Sequence, residues 1–161
     1  MNLVMAKKHS PERLSMSSER VSDYLSSVSD GAPAFAKRRA TYRLKKDAVE
    51  GIRKLADRAF VVVFSAEWCP DCHRNVPVLG LIAEETDLEV RVFGHLMRDP
   101  KNIKGIWKIP PSPPEVKEFE VTRIPLMIVL NSAGEEVGEV VENSPEGKTL
   151  EEAILEILMK A

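Results

Sequence analysis

Two cysteines in one short segment are the residues of this sequence best suited to chemistry. Cys69 and Cys72 stand three residues apart and are the only cysteines among 161 residues. Two thiols at this spacing can close a disulfide within one turn, so the pair could exchange electrons with another disulfide. A disulfide framework, or a zinc site of four cysteines within one chain, needs more cysteines than this. The alternative is that the two neighbours are incidental.

The residues around the cysteines predict how the two thiols are positioned. The run 60–64 is apolar and rich in β-branched and aromatic residues, which is typical of a central strand buried on both faces. A helix is predicted after it, extending to about Glu85. Cys69 would then lie at or just before the helix N-terminus, where free N–H groups and the helix dipole favour a negative charge. The sequence therefore predicts a lowered pKa for the Cys69 thiol.

The periodicity of the remaining segments predicts one mixed sheet. From residue 46 onward, the periodicity predicts a helix over 46–57, a strand over 88–92, a hairpin of 123–130 and 135–141, and a last helix from 149. That helix opens with a capping box, Thr149 to Glu152. The order α-β-α-β-α-β-β-α, which includes a short helix before 119, predicts an α/β fold with a central mixed β-sheet flanked by helices.

The N-terminal part of the chain differs from the rest in charge. Residues 1–46 carry ten Lys or Arg and four Asp or Glu, whereas the remainder carries thirteen and twenty-one. The first nine residues are predicted to be disordered, a helix is predicted over 10–27, and 34–46 is basic without a clear pattern. We therefore predict a basic, partly helical extension over 1–45 and a separate domain over 46–161.

The extension could be solvated, could dock on the acidic body, or could pair two copies of the chain as a homodimer; a nucleic-acid or membrane partner is not expected. The whole chain is 43% hydrophobic and 30% charged, with a net charge of −2. It has no run that could span a bilayer, and residues 1–8 lack a signal-peptide core. We therefore expect a cytoplasmic protein whose dithiol is mostly reduced at rest.

These motifs together resemble the thioredoxin superfamily over about residues 46–161. The features that carry the resemblance are Trp68 before the first cysteine, Pro77 five residues after the second, Ile124-Pro125 at the start of a strand, and a closing hairpin and helix. The resemblance implies a thioredoxin-like fold and a thiol–disulfide oxidoreductase. It implies protein or small-molecule disulfides as substrates, a reductase or thiol as electron donor, and no cofactor beyond the redox-active disulfide.

The same resemblance implies roles for individual residues. Cys69 would be the attacking thiolate, and Cys72 would be the resolving thiol. Pro125 would follow a cis peptide bond, lie against the sulfurs and form the substrate groove with Trp68 and Ile124. A proline there removes a hydrogen-bond donor and leaves the backbone of Ile124 free to pair with an extended peptide. The turn around 142–143 would form an edge of that groove.

The first departure from the family is Pro70-Asp71 between the cysteines, where typical thioredoxins have Gly-Pro. Trp-Cys-Pro-Asp-Cys resembles the thioredoxin-related proteins that reduce small disulfides or selected partners. The charge of Asp71 should raise the pKa of Cys69, and His73, when protonated, should lower it. Pro70, Asp71 and His73 are therefore candidates for tuning the redox potential, in a direction that depends on their orientation.

The second departure is Val63, six residues before the first cysteine. Thioredoxin has a buried Asp there that accepts the proton of the resolving thiol. Cys72 must then lose its proton to water or to another group, such as Glu67, His73 or His95. This substitution predicts slower or more partner-restricted reduction. A loop over about 104–114, which contains Trp107 and several prolines, could narrow the groove or cover the body.

Two other classes of function fit the same residues. Cys69, Cys72, His73 and His95 could hold a soft metal, or two chains could share a metal or cluster through four cysteines. The proline against the sulfurs argues against this hypothesis because it would block ligands. Alternatively, the protein could be an adaptor that keeps the fold and uses the groove or the N-terminal extension to bind a partner.

Overall fold

The computed structural model of the chain describes residues 7–161, so the disorder expected for residues 1–6 lies outside the described residues. The α-helices are α1 (Pro11–Ser17), α2 (Val21–Val28), α3 (Pro33–Thr41), α4 (Lys46–Leu55), α5 (Pro70–Thr86), α6 (Glu115–Glu118) and α7 (Leu150–Leu158). The strands are β1 (Glu19–Arg20), β2 (Ala59–Phe64), β3 (Glu89–Phe93), β4 (Leu126–Asn131) and β5 (Glu136–Val141). Within this range every helix is too short or too polar to cross a lipid bilayer.

The strands form one mixed sheet in the order β1-β3-β2-β4-β5. Strand β2 is parallel to β3 and antiparallel to β4, and β4 and β5 form an antiparallel hairpin. All six residues of β2 are buried, as expected for an apolar strand that has a neighbour on each edge and helices on the faces of its sheet. The α/β fold with a mixed sheet flanked by helices is therefore confirmed, with β1 as an additional edge strand.

Strand β4 begins at Leu126, three residues later than the apolar run suggests. Pro125 lacks an N–H group and cannot donate to the ladder, so the strand begins after it. The hairpin turn that follows β4 contains Gly134 with φ of 87°. A Cβ at this position would lie 1.9 Å from the carbonyl oxygen of His9. Glycine is thus required here both by the backbone conformation and by the close approach of another segment.

The N-terminal residues 7–9 are held against this hairpin, so the predicted disorder is wrong for them. The N–H of His9 donates to the carbonyl of Gly134 at 2.8 Å, and the N–H of Glu136 donates to the carbonyl of Lys7 at 2.9 Å. The imidazole of His9 is buried and stacks on the ring of Phe119, with the centroids 4.1 Å apart. Backbone pairing and a buried ring together fix this segment.

The single helix predicted over 10–27 is wrong, because α1 ends at Ser17 and α2 begins only at Val21. Two of the three residues between them, Glu19 and Arg20, form β1, which pairs antiparallel with β3. The guanidinium of Arg91 on β3 donates to the carbonyls of Ser15 and Ser18. These carbonyls belong to the end of α1, where a helix leaves its last acceptors without partners. Arg91 therefore stabilises the break between the two helices.

The basic segment 34–46, in which no pattern is evident, contains most of helix α3. Phe35 is the buried residue of this helix and is only 1% exposed. Its ring meets the ring of Tyr24 edge-on at 6.0 Å. One apolar anchor in nine residues gives no periodic signal in the sequence, which explains why the helix is not predicted.

Basic side chains of residues 7–45 pair with acidic side chains of the body. These pairs are Lys7 with Glu120, Arg13 with Glu115 and Glu118, Arg39 with Glu84, and Lys45 with Glu152. Exposed ion pairs contribute at most about 1 kcal/mol each, whereas burying one large apolar side chain contributes about 1.5–3 kcal/mol. The buried residues Leu14, Val21, Tyr24, Val28 and Phe35 therefore contribute more to this packing than the charges do.

Helix α5 carries the cysteine motif and contacts α2, α3, α4 and α7. It continues through Pro77 and ends at Thr86, close to the predicted end at Glu85. Helix α4 ends at Leu55, two residues earlier than predicted, and a short 3₁₀ turn follows it. Helix α7 begins with the predicted capping box of Thr149 and Glu152. Helices α4, α5 and α7 therefore lie close to the residues predicted for them.

We expect Phe35→Ala to lower the free energy of unfolding by about 3–5 kcal/mol, because it removes a fully buried ring and leaves a cavity. Met16→Ala is the matched control, since Met16 lies in the same N-terminal part and is 88% exposed. Chemical denaturation measures both. A loss below about 1 kcal/mol for Phe35→Ala would contradict the packing of α3 against α5.

Candidate active site

The cysteine pair lies where β2 ends and α5 begins. Cys69 is the N-cap residue of α5, and Pro70 occupies the first turn, where the missing N–H of a proline has no helical partner to lose. The sulfur of Cys69 accepts a hydrogen bond from the N–H of Cys72 at 3.4 Å. The two cysteines lie 3.1 Å apart, and both are free thiols. The predicted placement of Cys69 at the helix N-terminus is thus present in the structure.

The environment of Cys69 favours its thiolate form. The pKa of Cys69 is lowered to about 7, from an ordinary value of 9.0, and the hydrogen bond from the Cys72 thiol is the largest cause. The backbone N–H groups of Cys72 and Asp71 contribute to this lowering, whereas burial and the charge of Asp71 act in the opposite direction. The donors at the helix N-terminus therefore outweigh the two opposing effects.

Cys72 is in the opposite electrostatic situation. Its side chain is fully buried, and burial raises the pKa of its thiol far above the ordinary value. The neighbouring Cys69 raises it further, while the hydrogen bonds that the Ala66 N–H and the Ser65 hydroxyl can donate to the thiolate form of Cys72 lower it. Near neutral pH the pair therefore consists of one thiolate, at Cys69, and one thiol that donates to it.

The loop before β4 lies next to the outer sulfur. The Ile124–Pro125 peptide bond is cis, and the carbonyl oxygen of Ile124 lies 3.7 Å from the sulfur of Cys69. The carbonyl of Pro125 accepts the N–H of Glu142 at 2.8 Å. The sulfur of Cys69 is thus bordered by helix α5 on one side and by this loop on the other. A second cis bond, Pro110–Pro111, occurs in the proline-rich loop and is not predicted from the sequence.

Two tryptophans stack beside the cysteine motif. Trp68 is 47% exposed, and its ring stacks on that of Trp107 at 6.0 Å. The indole N–H of Trp68 donates to the carbonyl of Leu96, and that of Trp107 donates to the carbonyl of Thr122. The loop over 104–114 therefore supports Trp68 through the buried ring of Trp107. The result is an exposed aromatic surface directly before Cys69.

The turn at 142–143 is tied to the first turns of α5, next to the cis-proline loop. The amide of Asn75 donates to the carbonyl of Glu142 at 2.8 Å and to the side chain of Asn143 at 2.9 Å. The carboxylate of Asp71 accepts from Arg74 at 2.9 Å and from Asn143 at 3.2 Å. Asp71 is thus held in place beside a cation, which partly offsets its charge near Cys69.

His73 makes its polar contact away from the sulfurs. Its Nε2 is hydrogen-bonded to the backbone carbonyl of Glu67, and a carbonyl can only accept, so this nitrogen carries the hydrogen. The ring also meets Phe35 edge-on at 4.8 Å. His73 is half-buried and joins the cysteine motif to α3.

Two buried hydroxyl groups near Cys72, those of Tyr24 and Ser65, are not among the site residues predicted from the sequence. Tyr24 is fully buried, and its hydroxyl lies 2.9 Å from that of Ser65 and 3.1 Å from Oε1 of Glu67. Nδ1 of His95 lies 2.9 Å from the same carboxylate oxygen. In the sequence Tyr24 is only one apolar-face residue of a helix. A tyrosine on a buried face needs a partner for its hydroxyl, and this is the signal that could have identified it.

The histidines considered as metal ligands do not form a cluster with the cysteines. His73 and His95, the two histidines considered for a metal, contact the backbone and the carboxylate of Glu67 respectively. Within residues 7–161, no cluster of three or more His, Cys, Asp or Glu side chains could hold a metal ion.

A family model described as thioredoxin matches residues 18–154, which is most of the chain. This chain belongs to the thioredoxin family. The match begins inside the N-terminal part, so it includes α2 and α3 as well as the cysteine motif. No curated protein matches the sequence.

Two solved structures show the same fold over nearly the whole chain. PA1234 from Pseudomonas aeruginosa, a protein of unknown function, is 19% identical with a TM-score of 0.64, over 94% of this chain and 96% of that one. An HIV epitope-scaffold protein is 20% identical with a TM-score of 0.65 and the same coverage. Both matches extend over the N-terminal helices, so these helices belong to a recurring form of the fold.

We expect the rate of alkylation of Cys69 by iodoacetamide to rise with pH around a midpoint near 7, because only the thiolate reacts. Asp71→Asn should move this midpoint to lower pH, since the Asp71 charge raises the pKa of Cys69. Asp57→Asn is the matched control at the opposite end of β2. A midpoint near 9 in the unchanged protein would contradict the electrostatic description of the site.

Proposed function

We propose that this protein is a thiol–disulfide oxidoreductase that acts as a cytoplasmic disulfide reductase. The observation that carries the proposal is the difference between the two thiols. Cys69 has a pKa of about 7 at a helix N-terminus, and Cys72 is a buried thiol 3.1 Å from it. One sulfur is thus suited to attack and the other to resolve. Membership in the thioredoxin family supports the same chemistry.

The reaction proceeds by two exchanges. The Cys69 thiolate attacks one sulfur of the substrate disulfide, and the other sulfur leaves as a thiolate, so a mixed disulfide forms. Cys72 then loses its proton and attacks the sulfur of Cys69. The bond between Cys69 and the substrate breaks, the second substrate thiolate leaves, and the Cys69–Cys72 disulfide forms. The substrate gains two electrons, and an external reductase or thiol returns the protein to the dithiol.

The substrate groove is formed by Trp68, Ile124 and Pro125 in this proposal. An extended segment that carries a disulfide would pair with the backbone beside Pro125 and place apolar side chains on the exposed ring of Trp68. Pro70, Asp71 and His73 tune the cysteines: Asp71 by its charge, Pro70 by fixing the first turn of α5, and His73 by holding the Glu67 backbone. The substrates are protein or small-molecule disulfides.

We expect Cys72→Ser to accumulate covalent mixed disulfides with substrate, because the attacking thiol is intact and the resolving thiol is absent. Cys69→Ser is the matched control and should accumulate none, since its remaining thiol is buried. Mass spectrometry of protein incubated with a disulfide peptide measures both variants. Equal trapping by the two variants, or trapping by neither, would refute these roles.

We expect the protein to accelerate the reduction of insulin disulfides by dithiothreitol, and Cys69→Ser to abolish the acceleration. The precipitation of the insulin B chain measures the rate. If the unchanged protein forms and reduces its Cys69–Cys72 disulfide but leaves insulin intact, the groove excludes large substrates. If the Cys69→Ser variant is as active as the unchanged protein, the proposed function is refuted.

A further inference from the structure

The buried position of Cys72 raises the question of where its proton goes. The resolving step requires a thiolate at Cys72, yet this side chain is fully buried and its pKa is raised. Strand β2, which passes beside it, has the sequence Ala-Phe-Val-Val-Val-Phe and contains no ionisable side chain. Once Cys69 is part of a mixed disulfide, its sulfur is no longer an anion that could accept this hydrogen. Another acceptor must be connected to Cys72.

We infer that Ser65, Tyr24 and Glu67 form a hydrogen-bonded relay that takes the proton from Cys72 during the resolving step. The inference rests on the proposed disulfide exchange and assigns a proton route to it. Ser65 follows the last residue of β2 and is fully buried, as Cys72 is. Its hydroxyl is one of the groups whose hydrogen bonding lowers the pKa of the Cys72 thiol. Tyr24 joins Ser65 to Glu67 through bonds of 2.9 and 3.1 Å.

The donors and acceptors of this relay can be ordered from chemistry alone. The carboxylate of Glu67 can only accept, so the hydroxyl of Tyr24 donates to it. Tyr24 has a single hydrogen, and Ser65 must therefore donate to the tyrosine oxygen. The oxygen of Ser65 then keeps a lone pair for the thiol of Cys72. Every hydrogen in the chain points from the buried sulfur towards the carboxylate.

Proton transfer along the relay is balanced. Cys72 gives its proton to the oxygen of Ser65, Ser65 gives its own to Tyr24, and Tyr24 gives its own to Glu67. The electron pair left on Cys72 forms the new bond to Cys69, and the substrate thiolate leaves with the electrons of the broken bond. Between the proton transfer and the attack, all three hydrogen bonds are reversed, and the hydroxyl of Ser65 points at the Cys72 sulfur, where it stabilises the anion until the bond to Cys69 forms.

The far end of the relay reaches the surface. The side chain of Glu67 is 31% exposed and that of His95 is 51% exposed, so water can remove the proton that the carboxylate has received. The charged or titratable groups that face Glu67 are His95 at 2.9 Å and the hydroxyl of Tyr24, and His95 in turn faces Glu19 at 3.7 Å. The backbone at residue 94 makes room for the relay, since a Cβ on Gly94 would lie 2.3 Å from the ring of Tyr24.

The two chemical steps can be measured separately with dithiobis(nitrobenzoic acid), a disulfide whose thiol product is coloured. The first equivalent of coloured thiol is released when Cys69 attacks, at a rate that depends on reagent concentration. The second equivalent is released when Cys72 resolves the mixed disulfide, at a rate that does not. Rapid mixing of the reduced protein with excess reagent therefore gives one rate for each cysteine.

We expect Tyr24→Phe and Glu67→Gln to slow the second phase at neutral pH by at least about tenfold and to leave the first phase unchanged. Raising the pH should restore the second phase in both variants, because hydroxide can then remove the proton directly. Tyr42→Phe is the matched control, since Tyr42 also lies in the N-terminal part and donates to a buried glutamate, Glu151, at 2.7 Å. It should leave both phases unchanged.

Three outcomes would overturn the relay, and they are distinguishable. An unchanged second phase in both variants would refute the relay while leaving the proposed function intact. Equal slowing of both phases without recovery at high pH would show that the hydroxyl and the carboxylate only support the structure. If the unchanged protein releases no coloured thiol, the proposed function fails and the relay fails with it. Glu67→Gln keeps the test decisive if Tyr24→Phe does not fold, because residue 67 lies in a turn and its side chain is partly exposed.

Discussion

The burial of β2 between β3 and β4 is the constraint on which the rest of the site depends. Its backbone pairs on both sides and its side chains are covered on both faces, so the strand has one register and one place to end. That end fixes Ser65, the start of α5 and therefore both cysteines. A one-residue slip would move every side chain of the strand to the opposite face, where it would no longer fit the side chains packed there, so the position of the thiols is a consequence of core packing.

The same burial separates the properties of two chemically identical side chains. Cys69 lies at the edge of the core, where N–H groups at the N-terminus of α5 stabilise its anion. Cys72 lies one turn deeper, where the absence of water disfavours its anion. A difference of one helical turn thus gives the two thiols opposite shifts in pKa.

The sequence allows the central elements to be predicted because their signals are local. The apolar run before Trp68, the capping box at Thr149 and the hairpin around residues 131–134 each lie within a few residues. The N-terminal part could not be predicted in the same way. Strand β1 has two residues and exists because Arg91, far along the chain, binds the end of α1. The contact of Tyr24 with Ser65 likewise joins residues 41 positions apart, and no periodic pattern encodes it.

The packing of α2 against α5 matters when the N-terminal helices open locally. Tyr24 is held by Phe35 and by the paired strand β1, and these elements can detach at a lower free energy than the central sheet, as the edges of a fold commonly do. Such an opening would leave the cysteines, the cis-proline loop and Trp68 in place. In the proposed mechanism, the first exchange would then continue while the second, which depends on Tyr24, stalled. An opened molecule would therefore hold its partner covalently instead of releasing it, and the docking of the first helices would decide between turnover and capture.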